Sequence, residues 1–188
     1  MRITKCSVGG AAALASGVAA AALVVAAVLA AATSARAAPA RPAQAAAGAA
    51  CQASELSMRL AGTDTGVGMT VLTVAIANHA GTACELGGYP ALSLLRADGA
   101  PLPAQVSHGR GPLFTGGPDR VVRLGPGGQA SFFIAYRDFN PVTGHTGPAV
   151  TALRVSLPGL PGRFTVPARF GPYGGISVSS IRVGARRE

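Results

Sequence analysis

Apolar residues occupy every second position in a series of short runs from Leu56 onward. Side chains leave a β-strand on alternate sides, so this period of two predicts strands with one face turned towards a core. No stretch after residue 37 combines apolar residues at helical spacing with helix caps. The predicted strands cover residues 56–60, 70–78, 91–96, 120–124, 129–136 and 153–157.

The phase of the alternation predicts which side chains are buried. The side chains that we expect in the core are Leu72, Val74, Ile76, Phe132, Ile134 and Leu153. Those that we expect at the surface are Thr73, Arg123, Arg154 and Ser156. Near the end of the chain Ile176 and Val178 have one phase, whereas Ile181 and Val183 have the other, and this change predicts a β-bulge or a break at Ser179–Ser180.

Turn signals separate the runs. They are the segments ADGAP, LGPGG and LPGLPG, at residues 97–101, 124–128 and 157–162. Short strands joined by such turns predict an all-β fold, an immunoglobulin-like antiparallel β-sandwich. Pro126 and Gly127 suit the central positions of a type II turn, so we expect residues 122–124 and 130–136 to form a hairpin.

The first 37 residues have the composition of a secretory signal peptide. Arg2 and Lys5 precede a long uncharged run, and a small-residue A-x-A site ends at Ala37. The run is also long enough to be an uncleaved membrane anchor, and both interpretations stay open here. We expect a signal peptide over 1–37, a disordered Ala/Pro-rich linker over 38–50, the β-sandwich domain over 51–183 and a tail over 184–188. The predicted location is secreted or in the cell envelope.

The net charge is +9, and it becomes +6 without residues 1–37 because 13 basic and 7 acidic residues remain. These cations are scattered along the sequence, whereas a nucleic-acid binder concentrates them on one face. We therefore expect a protein or cell-envelope partner of unknown identity and no nucleic acid. We expect contact with a membrane only through the N-terminal segment, if that segment is retained.

Cys51 and Cys84 are the two cysteines that remain after residue 37. The sequence has no C-x-x-C and no H-x-x-x-H spacing, so a metal site would lack ligands. Outside the cell, two cysteines in one domain normally pair. Cys51 precedes the first predicted strand and Cys84 follows the second, and an antiparallel pair of strands brings these points to the same end. We predict a disulfide between them.

Support for enzyme chemistry is thin, since the sequence contains no G-x-S-x-G, P-loop or H-E-x-x-H motif. Ser107, His108 and Asp119 would form a catalytic triad only through a geometry that sequence proximity does not establish. A copper site would have to draw on four side chains that include no H-x-M pair, namely Met58, Met69, His79 and His108. We expect no enzyme activity, no cofactor and no metal. The alternative is a small secreted hydrolase or a copper-type metal-binding sandwich.

Two sequence elements resemble a known family. The first, N-x-x-G-x-x-C-x-L-x-G-Y-P, runs from Asn78 to Pro90, and the second, L-x-P-G-G-x-A-x-F, runs from Leu124 to Phe132. Over residues 51–183 the chain resembles the secreted bacterial domain of unknown function numbered 4232, which is widespread in actinobacteria. The resemblance implies an exported sandwich without an established activity. Members of that family often carry a further cysteine pair, and this chain has no cysteine after Cys84.

Two long irregular stretches, residues 107–119 and 138–149, are rich in Gly and Pro. Loops of this length in a compact domain are usually functional or disordered. The first contains a cation and an aromatic residue, which are types favoured at interaction hot spots. We therefore predict a non-catalytic binding or accessory domain that contacts its partner through His108, Arg110 and Phe114. The alternative is that Phe114 folds back and covers the end of the sandwich.

Overall fold

The computed structural model describes residues 48–109 and 119–184, and β-strands make up most of this part of the chain. One short 3-10 turn, Ala53–Glu55, precedes the first strand. The strands are β1 (Leu56–Gly66), β2 (Met69–Asn78), β3 (Cys84–Gly87), β4 (Ala91–Leu95), β5 (Pro101–Leu102), β6 (Val106–His108), β7 (Val121–Leu124), β8 (Gln129–Arg137), β9 (Val150–Ser156), β10 (Phe164–Phe170), β11 (Tyr173–Val178) and β12 (Arg182–Val183).

The strands form a sandwich of two main sheets. One sheet has the order β1-β2-β8-β11-β6, with β12 also paired to β8, and the other has the order β10-β9-β4-β5. A third, two-stranded sheet joins β3 to β7. Pairing between strands is antiparallel except between β11 and β6, which run parallel. The all-β sandwich predicted from the sequence is therefore confirmed, with one parallel pair that the alternation did not indicate.

The core lies between the two main sheets and follows the predicted phase. Every side chain predicted to be buried is buried, and Phe132, Ile134 and Leu153 are completely enclosed. On the other face of β2 and β8, Val71, Phe133 and Ala135 form a second buried cluster. Both faces of this strand pair are therefore buried.

Of the four side chains that we expected at the surface, one is exposed, two are half-buried and one is buried. Arg123 is exposed as predicted, and Arg154 and Ser156 are half-buried. Thr73 is buried. It lies opposite Phe133 in the β2–β8 ladder, and cross-strand neighbours contact each other on one face of a sheet. The large ring therefore shields Thr73 from water.

The turn after β7 is confirmed, but the predicted hairpin is wrong. The Gly128 N–H donates to the Gly125 carbonyl at 2.9 Å, and Gly127 has the positive φ, 69°, that a type II turn requires at its third residue. However, β7 pairs with β3, while β8 pairs with β2, β11 and β12. Because both edges of β8 are occupied by these strands, the turn carries the chain from one sheet to another.

The predicted break at Ser179–Ser180 is present. Strand β11 ends at Val178, and β12 begins at Arg182. Between them the buried Ser179 hydroxyl accepts the Phe133 N–H at 2.9 Å and donates to the Ser180 carbonyl. The side chain thus replaces a backbone partner where the regular ladder stops, which lets Ile181 enter the core on the other phase.

The sandwich has two distinct ends. The strand registers place the β1–β2 turn, the loop of residues 138–149 and the β10–β11 turn at one end, which we call the open pole. The end of β2 and the start of β8 lie at the other end, the disulfide pole. Within the described part of the chain, no helix is long and apolar enough to cross a membrane. The predicted signal peptide and the C-terminal residues 185–188 lie outside the described residues.

Candidate binding surface

The disulfide pole is held by a covalent bond and by backbone pairing. Cys51 and Cys84 form the predicted disulfide, with Cα atoms 4.7 Å apart and both residues buried. The Cys51 N–H donates to the Glu85 carbonyl, and the Glu85 N–H donates to the Ala49 carbonyl. The last residues of the segment assigned to the linker, Ala49 and Ala50, are therefore tied to the edge of β3.

Asn78 is the polar centre of this pole. Its side-chain amide donates to the carbonyls of Thr82, Leu124 and Gly125, and its Oδ1 accepts the Ala80 N–H. The side chain is completely buried, and a buried amide is stable only when its groups are paired. Asn78 thereby joins the two sequence elements that carry the family resemblance, and both elements have a structural role.

The predicted contact loop is only partly described. His108 is exposed, and its ring lies against Tyr89 with centroids 5.4 Å apart. Arg110 and Phe114 lie outside the described residues, so their role in partner contact stays a prediction. The Ser107 hydroxyl donates to the Ile176 carbonyl and lies 2.9 Å from the Ser177 hydroxyl.

The candidate triad and the candidate copper ligands are not assembled among the described residues. No hydrogen bond joins Ser107 to His108 or Asp119 within residues 48–109 and 119–184. Met69 begins β2 and His79 follows its last residue, so these two side chains lie at opposite poles. In the same part of the chain, no three His, Cys, Asp or Glu side chains are grouped closely enough to hold a metal ion.

The open pole carries three exposed apolar side chains, Val67, Phe139 and Val142, which we call the apolar tip. Val67 is fully exposed, Val142 is 90% exposed and Phe139 is 40% exposed. The Asp138 N–H donates to the Gly68 carbonyl, which fastens the loop of residues 138–149 to the β1–β2 turn. The β1–β2 turn and this loop therefore both present apolar side chains to solvent at the same end of the sandwich.

Internal hydrogen bonds give the loop behind the tip a defined shape. The Asn140 side chain accepts the Val142 N–H at 2.8 Å and donates to the Tyr173 hydroxyl at 2.7 Å. The Asn140 N–H donates to the His145 carbonyl at 2.8 Å. A long loop that is held in this way presents Val142 and Phe139 in a fixed arrangement, as a binding surface requires.

Val67 has an unusual backbone conformation. The two central residues of the β1–β2 turn, Val67 and Gly68, have φ values of 53° and 71°. Such turns favour Asn-Gly or Gly-Gly because both φ angles are positive. A β-branched residue in the left-handed region is an outlier that costs on the order of 1–3 kcal/mol. Val67 buries nothing in the domain to offset this cost, since it is fully exposed.

Three clefts meet at the open pole. The largest, of about 510 Å³, opens between the ends of the two main sheets and is lined by Tyr136 and Phe170, whose ring centroids are 4.9 Å apart. The second cleft, also lined by Tyr136, measures about 330 Å³ and the third about 360 Å³.

Burial raises the pKa of Tyr136 above 10.0. A hydrogen bond with the Thr70 side chain lowers the pKa, and the charge of Asp138 raises it further.

The sequence did not point to this surface. The irregular stretch of residues 138–149 was recognised as a long loop, but an apolar residue in a sequence is normally expected to be buried. Val67 and Val142 each stand next to Gly, Thr or Pro and outside any alternating run. The signal that could have indicated the site is Val67 immediately before Gly68, a pair that forms the β1–β2 hairpin turn, where Asn or Gly is usual at the first position.

Comparisons with known proteins identify a family but no function. Searches of curated proteins and of solved structures found no match for the chain. A family model matches residues 51–186, which is most of the chain and includes both sequence elements described above. The chain therefore belongs to the family described as Domain of unknown function (DUF4232).

Proposed function

We propose that this protein is an exported, non-catalytic binding or accessory domain that acts outside the cell or in the cell envelope. Export is supported by the N-terminal signal-like segment and by the disulfide, since disulfides persist mainly in oxidising compartments. The partner is a protein or another component of the cell envelope, and the domain contacts it through the apolar tip.

The observation that carries this proposal is Val67. A valine that is fully exposed and has a positive φ lowers the stability of the isolated domain on two grounds, exposure and backbone strain. Asparagine or glycine at the same position would remove both. A residue that is unfavourable for the free domain is explained if its side chain is buried when a partner is bound.

The test separates stability from binding at one position. In Val67→Asn the left-handed conformation is better tolerated, so we expect the melting temperature to rise or stay the same. Capture of the partner from solubilised cell envelope should fall, because the valine methyl groups no longer contact it. Val142→Asn should weaken capture in the same way, with little effect on stability.

Val183→Asn is the matched control. Val183 is 72% exposed in β12, which pairs with β8 near the start of that strand and so lies away from the open pole. This change should leave capture intact. Equal capture by wild type, Val67→Asn and Val142→Asn would contradict the proposal. Substrate turnover or stoichiometric metal in the purified protein would favour the hydrolase or copper-type alternative instead.

A further inference from the structure

The largest cleft at the open pole has the size and the lining of a small-molecule site. It lies where β8, β9 and β10 end or begin, between the two main sheets. Its volume of about 510 Å³ is within the range of roughly 300–1,000 Å³ that is usual for ligand pockets. Apolar rings and a few polar groups line it together, which is also typical of such pockets.

Asp138 lines the cleft, and its charge acts on the Tyr136 hydroxyl in the same cleft. Asp138 is half-buried, and its backbone is fixed by the hydrogen bond from its N–H to the Gly68 carbonyl. Among the described residues the Asp138 carboxylate has neither a hydrogen-bond donor nor an ion-pair partner. A partly desolvated charge is unfavourable unless it is paired, so this position favours a cationic group from a ligand.

A guanidinium lines the same cleft. Arg169 is exposed in β10 and, within the described part of the chain, has no ion-pair partner either. It does not pair with Asp138, because no nitrogen of one lies within 4.0 Å of an oxygen of the other. Two opposite charges that face one cleft and remain apart can both be paired by a ligand that carries both charges.

Two aromatic rings line the apolar part of the cleft. Tyr136 comes from one main sheet and Phe170 from the other, and their rings pack together at 4.9 Å. Gly147 approaches the Pro172 carbonyl so closely that no Cβ could be placed there. A glycine is thus required where the loop of residues 138–149 meets the β10–β11 turn beside the cleft.

We propose that this cleft binds a small zwitterion, an amino acid or a short peptide, with its ammonium group at Asp138 and its carboxylate at Arg169. Aliphatic parts of the ligand pack against the Tyr136 and Phe170 rings. This inference goes beyond the proposed function, because the cleft can take a small ligand whether or not the apolar tip contacts a larger partner.

The probe is alanyl-alanine in three forms: unblocked, N-acetylated and C-terminally amidated. Acetylation removes the ammonium charge, and amidation removes the carboxylate charge. Binding to the exported chain is followed by chemical-shift changes of backbone amides in residues 138–149, 169 and 170. Wild type should bind the unblocked peptide more tightly than either blocked form, by roughly two- to fivefold for one ion pair. Free alanine, titrated in parallel, distinguishes an amino-acid site from a peptide site.

Each substitution in the cleft should remove the preference for only one of the two charged ends of the peptide. Asp138→Asn should bind the unblocked and N-acetylated peptides equally while still discriminating against the amide. Arg169→Gln should bind the unblocked and amidated peptides equally while still discriminating against the N-acetylated peptide. Because Arg169 is exposed, this variant remains informative even if Asp138→Asn does not fold. Asp119→Asn removes an equal charge from an exposed position beside Gly88 and should change nothing.

Equal binding of the three peptides by wild type, or no shift up to the solubility limit of the unblocked peptide, would overturn the inference. Shifts that are confined to residues outside the cleft would also overturn it. None of these results bears on capture through the apolar tip, which is measured with the Val67→Asn variant.

Discussion

Replacing Asn78 by alanine should destabilise the domain by about 3 kcal/mol, although the change removes only a small polar group. The side chain has no exposed surface and joins the end of β2 to the segment after β7. Its amide group has two hydrogens shared among three carbonyls, and its Oδ1 accepts one N–H. Three hydrogen bonds are therefore lost, each with a net contribution of roughly 1 kcal/mol.

The surroundings of the carbonyls that lose the Asn78 amide set the range of the expected loss of stability. The bond to the Leu124 carbonyl is buried, so this oxygen would be left without a partner and water cannot reach it easily. That alone costs about 1–3 kcal/mol. The Thr82 and Gly125 carbonyls are in part-buried bonds and can be hydrated in the variant. The expected loss is thus about 2–5 kcal/mol, with 3 kcal/mol as the central value.

Urea denaturation followed by far-ultraviolet circular dichroism measures this loss, since the chain has no tryptophan to serve as a fluorescent reporter. Asn140→Ala is the matched control, because Asn140 also makes side-chain hydrogen bonds but lies in a loop where most of them are exposed. We expect it to lose less than about 1 kcal/mol. A loss below about 1 kcal/mol for Asn78→Ala would refute the reasoning that this amide holds the pole together.

The Asn78→Asp variant gives a second, independent readout. The new carboxyl would face three carbonyl oxygens in a buried site, which raises its pKa above the usual value of about 3.9. A raised pKa in the folded state means that the protonated form is favoured there. Relative to wild type, Asn78→Asp should therefore be least destabilised below about pH 4, and the difference in stability should grow as the pH rises through the raised pKa. A difference from wild type that shrinks towards neutral pH would contradict this sign.

Three further predictions follow from the core and the disulfide. Cys51→Ser and Cys84→Ser should each destabilise the protein by about 3–4 kcal/mol, because either change opens the same loop across a sequence separation of 33 residues. Denaturation measures the loss of stability and thiol titration measures the free cysteines. Reactive thiols in the natively exported protein would contradict the disulfide. Ile134→Ala should cost about 2–5 kcal/mol because the side chain is completely buried, and a loss below about half a kcal/mol would place it at the surface. The raised pKa of Tyr136 gives stability that is present below pH 10.0 and lost as the pH rises through the folded-state pKa, so Tyr136→Phe should flatten the decline in stability at alkaline pH.

The alternation of side chains was enough to predict the main core and β1, β2, β4, β7, β8 and β9, because burial of one face imposes a period of two on the sequence. It did not indicate β3, β5, β6 or β10. It could not predict the burial of Thr73, which depends on Phe133 lying opposite in a distant strand. It could not predict the partner of β7 either, because the Pro126–Gly127 turn has the same local geometry whether the chain stays in one sheet or crosses to another. Pairing between strands is decided by contacts that are far apart in sequence.

The site was harder to predict than the fold for a related reason. The pairing of Cys51 with Cys84 could be predicted because oxidising conditions and strand order constrain it. The open pole instead combines residues from β8, β10 and two loops. Neither the position of Asp138 in the cleft nor the exposure of Val142 can be recognised in the local sequence pattern, because both depend on what the folded chain places beside them.

Site-specific photo-crosslinking tests whether the open pole is the binding surface, because it records contacts of the intact protein in its own cells. A photoreactive amino acid replaces Val142 in the apolar tip or Val183 in β12, both of which are well exposed. We expect a discrete crosslinked species from position 142 and none from position 183. The species from position 142 should disappear when Val67→Asn is added. Crosslinks from position 183 with none from position 142 would contradict the claim that the open pole is the binding surface.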